Sequence, residues 1–191
     1  KCTQKGLIEH YKTISDNVNI PIIMYNVPGR TGVNINPETA LNIAKTSKNV
    51  VAIKEASGNI SQITEVARLT KGLLDLYSGD DGIVLPILSL GGIGVISVVS
   101  NVMPKLMHDL VESFLTGDTA KSRDLQFKVN PFVHAAFCEV NPIPIKCAAS
   151  LMHLCKNELR LPLTPCSKED LVKEEMIKLG LIKWGNNETI D

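Results

Sequence analysis

Short apolar runs alternate with amphipathic segments along the first part of the chain. Apolar residues recur at helical spacing in residues 6–14 and again in the segments that follow each apolar run. The runs themselves are almost continuously hydrophobic, which is typical of strands buried on both faces. The pattern predicts strands at residues 20–25, 50–53, 73–77 and 94–99, and helices at residues 6–14, 36–47, 60–70, 83–90 and 104–115.

Each predicted strand is followed by a predicted helix, which indicates repeated βα units and a parallel sheet. A doubly wound sheet and a (β/α)₈ barrel both fit this order. No G-x-G-x-x-G or Walker A motif follows any strand, and Gly91-Gly-x-Gly94 precedes its strand, where we interpret it as a close approach of the backbone to the sheet. The barrel is therefore favoured over the nucleotide-binding fold.

The alternation stops after Gly117. Residues 120–129, 133–138, 144–155 and 168–179 are predicted helices, with breaks at Asn141-Pro-Ile-Pro144 and at Leu161-Pro-Leu-Thr-Pro165. A complete barrel takes about 250 residues and eight strands. We therefore expect the C-terminal half of a barrel over residues 1–117, a helical region over 118–183 and a polar, poorly ordered tail over 184–191, in a chain truncated before its first half-barrel.

Composition and charge restrict the function. The 20 basic and 20 acidic residues cancel, and only 4% of residues are aromatic, which argues against a nucleic-acid partner. No apolar run is long enough to suggest a membrane span. The five cysteines show no paired spacing, so we expect free thiols in a cytoplasmic protein, with Cys147 and Cys155 buried on one helix. The four histidines lack metal-ligand spacing, and no metal or cofactor is expected.

Candidate chemistry lies at the strand ends, where barrel enzymes carry their active sites. Lys54 ends an apolar strand and alternates with Ala52 and Ala56, which leave room around it, while Val51, Ile53 and Glu55 are expected on the other face. A desolvated lysine there can form a Schiff base with a carbonyl, although a lysine that extends into solvent is the plainer alternative. Tyr25 ends the preceding strand and can move protons, or can simply be a half-buried tyrosine.

Two further polar segments follow strands. Arg30 lies in the loop after Tyr25, where a guanidinium suits a carboxylate substrate, although a surface arginine paired with an acid is the alternative. Ser78-Gly-Asp-Asp81 follows the third strand, and there we expect turn and helix-cap interactions rather than metal binding.

Five segments together resemble the dihydrodipicolinate synthase family, one of the pyruvate-dependent Schiff-base aldolases that also include N-acetylneuraminate lyase. The resemblance runs from about Thr3 to Ile182. Its motifs are Tyr25-Asn-Val-Pro-Gly-Arg-Thr-Gly32, Ile53-Lys-Glu-Ala-Ser-Gly58, Tyr77-Ser-Gly-Asp-Asp81, Gly94-Val-Ile-Ser-Val98 and Asn141-Pro-Ile-Pro-Ile-Lys146.

The resemblance implies a lyase that condenses pyruvate with L-aspartate 4-semialdehyde in lysine and diaminopimelate biosynthesis. By this resemblance Lys54 forms the imine, Tyr25 relays protons, Ile96 contacts pyruvate through its backbone and Arg30 holds the aldehyde's carboxylate. It also implies a homo-oligomer, a homotetramer in the family. The family's threonine pair, pyruvate-carboxylate loop and interface tyrosine belong to a first half-barrel that this sequence lacks.

Two alternatives stay open at this point. Within the superfamily, the chain could serve an aldolase that cleaves a 2-keto-3-deoxy sugar acid or N-acetylneuraminate, although Arg30 favours the synthase because the sialic-acid lyases lack it in this loop. From another class, it could be a non-catalytic barrel fragment that self-associates through open sheet edges.

Overall fold

The computed structural model describes residues 1–183, so the predicted tail over residues 184–191 lies outside the described residues. The chain divides into two compact units, one formed by Lys1–Ile96 and one beginning at Ser97. Each unit is described by itself below. The division predicted between residues 117 and 118 stays a prediction.

The first unit alternates strands and helices, as the hydrophobic pattern predicts. Its elements, in chain order, are α1 (Gln4–Asn17), β1 (Ile22–Asn26), α2 (Pro28–Thr31), α3 (Pro37–Thr46), β2 (Val50–Glu55), α4 (Ile60–Thr70), β3 (Asp75–Ser78), a 3₁₀ turn (Asp81–Ile83), α5 (Val84–Ser89) and β4 (Gly94–Val95). The short helix α2 has no counterpart in the predicted pattern, which treated its residues as a turn-rich loop.

The strands form one parallel sheet in the order β1-β2-β3-β4. Consecutive strands therefore lie side by side, as βα units in a barrel do. Within the described residues, β1 and β4 are the edges of this sheet. The predicted α/β class and parallel arrangement are confirmed.

The core of the first unit lies between the sheet and its helices. Met24, Ile53 and Leu76 occupy the same cross-strand row and are almost completely buried against residues of α3 and α4, such as Ile43 and Ile63. Side chains alternate along a strand, so the next row, which contains Lys54, lies on the other face of the sheet.

Two predicted strand details are wrong. The pairing of β1 with β2 shifts between Ile22 and Ile23, so Val50 joins Ile53 in the core and Val51 is 42% exposed. The fourth strand ends at Val95 instead of residue 99, because β3 ends at Ser78 and offers no further pairing partner.

Helices joined by turns and loops make up most of the second unit's described residues, with a single bridge residue at Ile182. The helical elements are a 3₁₀ turn (Val99–Asn101), α6 (Pro104–Leu115), α7 (Thr119–Ala136), α8 (Ile143–Leu151) and α9 (Glu169–Lys178). The two helices predicted over residues 120–138 are one continuous helix that passes through Pro131. Buried Val129, Phe132 and Val133 hold this helix together, while Pro131 lies on its exposed side.

The cysteines of this unit differ from the predicted arrangement. Cys147 is buried, and burial, together with Glu169 and Cys166, raises the pKa of its thiol to about 12. Cys155 is exposed, because α8 ends at Leu151 before reaching it. Among residues 1–183, none of the helices is both long and apolar enough to cross a bilayer.

Candidate active site

Lys54 lies in a row of residues that runs across the ends of all four strands. Tyr25 of β1 is its direct neighbour on one side and Tyr77 of β3 on the other, and Gly94 of β4 follows Tyr77. In parallel strands these positions share one edge of the sheet, the carboxyl-terminal edge at which barrel enzymes bind their substrates. The structure thus brings the predicted Lys54 and Tyr25 together.

The Lys54 amine lies over the Tyr25 ring, with Nζ 4.0 Å from the ring centroid. An ammonium at this distance is attracted by the electron-rich face of the ring. Lys54 is partly buried, and Tyr25 is 42% exposed. A substrate that reaches the amine therefore meets the tyrosine at the same point.

Gly79 provides the space that the Lys54 side chain occupies. A Cβ on Gly79 would lie 3.0 Å from Cε of Lys54, 2.8 Å from the Ala56 Cβ and 3.0 Å from the Glu55 carbonyl oxygen. The Gly79 amide donates a hydrogen bond of 2.7 Å to that carbonyl, which holds the two backbones together. The sequence predicted alanines as the small neighbours of Lys54 but missed the glycine that follows the next strand.

Tyr77 is a second site residue, which the sequence analysis named only as part of a family motif and gave no role. It is the cross-strand neighbour of Lys54, and its ring covers Gly94, whose Cβ would lie 3.3 Å from the ring carbons. The signal that could have found it is positional. Tyr25, Lys54 and Tyr77 are each the next-to-last residue of their strands, so parallel pairing aligns them.

Arg30 lies on α2, in the segment that immediately follows β1. It is exposed, and its amide donates to the Val27 carbonyl. The helix ends at Gly32, whose φ of 66° is the left-handed conformation that glycine adopts most readily. Arg30 is thus held on a short, defined turn, and one residue separates this turn from the carboxyl-terminal end of β1.

Ile96 follows β4 and has one backbone group already engaged. Its amide donates to the Ser78 carbonyl at 2.8 Å. A backbone contact between Ile96 and a ligand would therefore use its carbonyl oxygen. The side chain of Ile96 is 38% exposed.

The segment after β3 has the predicted capping role. The Asp80 side chain accepts from the Gly82 amide at 2.8 Å and begins the 3₁₀ turn Asp81–Ile83. The hydroxyl of Ser78, two residues earlier, donates to the Asp80 carbonyl at 2.7 Å. Within the part of the chain that the structure describes, no group of three or more His, Cys, Asp or Glu side chains could hold a metal ion.

Of the glycines before β4, Gly92 makes a close backbone approach, but to a helix and not to the sheet as the sequence interpretation expected. A Cβ on Gly92 would lie 2.7 Å from both the side chain and the carbonyl oxygen of Ile87. The backbone therefore passes directly against α5 at this point, and the small residue permits the approach.

Comparison with known proteins gives the same family as the five sequence motifs. Residues 1–178 match the model of the dihydrodipicolinate synthetase family. The 4-hydroxy-tetrahydrodipicolinate synthase of Clostridium tetani is 51% identical over 185 residues, covering 96% of this chain and 63% of the relative. That of Caldicellulosiruptor bescii is 52% identical, covering 97% of this chain and 61% of the relative.

Solved structures give the same result. The crystal structure of dihydrodipicolinate synthase from Thermotoga maritima superposes with a TM-score of 0.93 at 47% identity and covers 95% of this chain and 63% of that chain. The chain thus spans less than two thirds of the length of these relatives. The structural superposition confirms the predicted barrel architecture with C-terminal helices. The chain belongs to the dihydrodipicolinate synthetase family.

Proposed function

We propose that this chain carries the imine-forming lysine of an enzyme that condenses pyruvate with L-aspartate 4-semialdehyde, in lysine and diaminopimelate biosynthesis. The observation that carries the proposal is the position of Lys54 at the carboxyl-terminal edge of a parallel sheet, with Nζ 4.0 Å from the centre of the Tyr25 ring. The names of the relatives, each a 4-hydroxy-tetrahydrodipicolinate synthase, support this substrate pair.

The proposed reaction begins at the Lys54 amine. The neutral amine adds to the ketone carbon of pyruvate, and loss of water leaves an imine. Removal of a proton from the methyl group gives an enamine, whose carbon attacks the aldehyde of the second substrate. The aldehyde oxygen takes up a proton and becomes a hydroxyl, which leaves the product joined to Lys54 as an imine. The amino group of the second substrate then adds to the imine carbon and displaces the Lys54 amine, so no external oxidant or reductant is consumed.

The other site residues take the remaining roles in the proposal. Tyr25 moves protons to and from the intermediates, since its phenol belongs to the ring that the amine contacts. Arg30 binds the carboxylate of the aldehyde through its guanidinium, and the Ile96 carbonyl contacts pyruvate. No cofactor is needed, because the lysine itself supplies the electron sink.

Reduction of the imine tests the proposal. The complete gene product that contains these residues is incubated with pyruvate and borohydride, and the labelled peptide is identified by mass spectrometry. We expect one adduct, on Lys54. Lys54→Arg abolishes it, because a guanidinium stays protonated and cannot form the imine. Lys48→Arg, at an exposed lysine before the same strand, is the matched control and leaves the adduct unchanged.

An adduct on another lysine, or undiminished labelling of Lys54→Arg, would contradict the assignment. The absence of any adduct would favour the alternative of a non-catalytic, self-associating protein. An aldolase for a 2-keto-3-deoxy sugar acid or N-acetylneuraminate would form the same adduct. It is distinguished by turnover of those sugars, which we expect to be absent because Arg30 suits a short acidic aldehyde.

Location and assembly belong to the same proposal. We infer a cytoplasmic protein, supported by five free cysteines, which are typical of reducing compartments. We infer a homo-oligomer for the complete protein on the strength of the family resemblance. Its substrates are small molecules, and a balanced net charge gives no support for a nucleic-acid partner.

A further inference from the structure

Directly after Lys54 and Tyr25, β2 and β1 end in a buried polar pair that the proposed reaction does not use. Glu55 is 0% exposed and Asn26 is 1% exposed, and the two are cross-strand neighbours on the helix-covered face of the sheet. The Asn26 Nδ2 donates to Oε1 of Glu55 at 2.8 Å. Burying a carboxyl group is costly unless hydrogen bonds satisfy it, so its presence here calls for a role.

The two carboxyl oxygens of Glu55 serve different parts of the chain. Oε1 accepts from Asn26 on the neighbouring strand. Oε2 accepts from the hydroxyl of Ser57 at 2.6 Å and from its amide at 3.3 Å, both in the segment that follows β2. One oxygen therefore links β2 to β1, and the other stabilises the local turn.

Asn26 closes the loop that carries Arg30. Besides its bond to Glu55, its Nδ2 donates to the Asn34 Oδ1 at 3.0 Å, and its Oδ1 accepts from the Ile35 amide at 3.0 Å. Asn26 is the last residue of β1, whereas Asn34 and Ile35 lie beyond the other end of the segment that contains α2. A single side chain thus joins the two ends of the Arg30 loop.

A second amide attaches the same loop to α4. Asn34 and Gln62 form a reciprocal pair, with Nδ2 of Asn34 donating at 2.7 Å and Nε2 of Gln62 donating at 3.0 Å. The connected bonds therefore run from Glu55 through Asn26 and Asn34 to Gln62. This network joins β2, β1, the Arg30 loop and α4.

We propose that Glu55 is a positioning residue that orients the Asn26 amide and thereby sets the position of the Arg30 loop. The carboxyl oxygen fixes the NH₂ group of Asn26 toward Glu55 and Asn34, which leaves the amide oxygen for the Ile35 amide. The inference rests on the proposed function, in which Arg30 binds the carboxylate of the aldehyde. The network then affects binding of the aldehyde, the second substrate, and leaves imine formation at Lys54 unchanged.

Steady-state kinetics of the complete protein separate the two substrates. Asn26→Ala removes the bonds to the loop, and Glu55→Met removes the acceptor that orients the Asn26 amide. We expect each to raise the KM for the aldehyde about tenfold, as loss of a positioned contact does. The KM for pyruvate and the borohydride adduct on Lys54 stay within about twofold of wild type. Glu55→Gln retains an acceptor for Asn26 and restores a KM near the wild-type value.

Ser57→Ala is the matched control. It removes the hydroxyl donor to Oε2 of the same carboxyl group but leaves the Asn26 bond intact, so the KM for the aldehyde does not change. Arg30→Ala removes the proposed carboxylate contact itself and gives the upper limit of the effect, about thirtyfold.

Equal increases in both KM values, or no increase for the aldehyde in Asn26→Ala, would overturn the positioning role. If Asn26→Ala and Glu55→Met do not fold, Gln62→Ala, at the partly exposed end of the network, tests the positioning role instead. There we expect about a threefold rise for the aldehyde alone, and an unchanged KM overturns the proposal. Failure of the proposed function is distinguishable, because wild-type protein would then form no pyruvate adduct.

Discussion

The space around Lys54 depends on a single missing methyl group. Gly79 directly follows β3, the strand next to that of Lys54, and its position would place a Cβ against the lysine Cε, the Ala56 Cβ and the Glu55 carbonyl oxygen. The lysine side chain is the flexible neighbour and can move away, whereas the Ala56 Cβ and the Glu55 carbonyl oxygen move only with the backbone of their segment. A larger residue would therefore displace the lysine from its contact with Tyr25.

This predicts that Gly79→Ala slows imine formation. We expect the rate of borohydride trapping with pyruvate in the complete protein to fall about tenfold or more, because a catalytic group displaced by about 1 Å loses much of its efficiency. Gly29→Ala is the control, since a Cβ there meets nothing within 4 Å and its backbone is not left-handed. Trapping of Gly79→Ala at the wild-type rate would show that Lys54 does not need this space.

At the scale of elements, β2 has two different faces with different tasks. The face with Ile53 is packed into the core of the first unit, while the next row presents Lys54 at the opposite face. The irregular pairing near Ile22 removes Val51 from the core, although it lies only two residues before Ile53. Burial of Ile53 fixes the orientation of the strand. Because side chains alternate, Lys54 then points to the opposite face.

Substitution on the two sides should therefore have unequal effects on stability. Ile53 is 0% exposed, so Ile53→Ala leaves a cavity and is expected to lower the free energy of unfolding by about 2–4 kcal/mol. Val51 is 42% exposed, and Val51→Ala is expected to cost less than about 1 kcal/mol. Urea denaturation of both variants measures the difference, and equal losses would mean that Val51 is covered in solution.

At the scale of the molecule, the first unit leaves apolar side chains of its sheet partly uncovered. Within residues 1–96, Ile23, Val51 and Ile93 are each about two fifths exposed, and β1 and β4 lack a second pairing strand. Partly exposed apolar residues beside open strand edges favour association with another sheet. A second copy of the chain offers the same features.

We therefore predict that the 191-residue chain self-associates at micromolar concentration. Sedimentation velocity over a dilution series is expected to show a species larger than the 20.8 kDa monomer, and its share falls on dilution. Ile23→Lys places a charge beside the open edge and should shift the distribution toward monomer. A monomer at every concentration would contradict the prediction.

The sequence by itself determined the elements whose signals are local. Helix α4 occupies the predicted residues 60–70, and α6 begins and ends as predicted, because caps, prolines and apolar spacing act within one or two turns. Lys54 and Tyr25 could be placed at one edge since each ends a strand and parallel strands align their ends. The family motifs identified the same two residues.

Tertiary structure decided everything that depends on contacts between distant parts of the chain. The packing of buried Phe132 and Val133 joins the two helices predicted over residues 120–138 into one helix that passes through Pro131. A pairing irregularity between two strands moves Val51 out of the core. The hydrogen bond from Asn26 to Glu55 joins residues that are 29 positions apart. Such contacts leave no periodic signal in a sequence, because they arise only when burial brings polar groups together and requires each to find a partner.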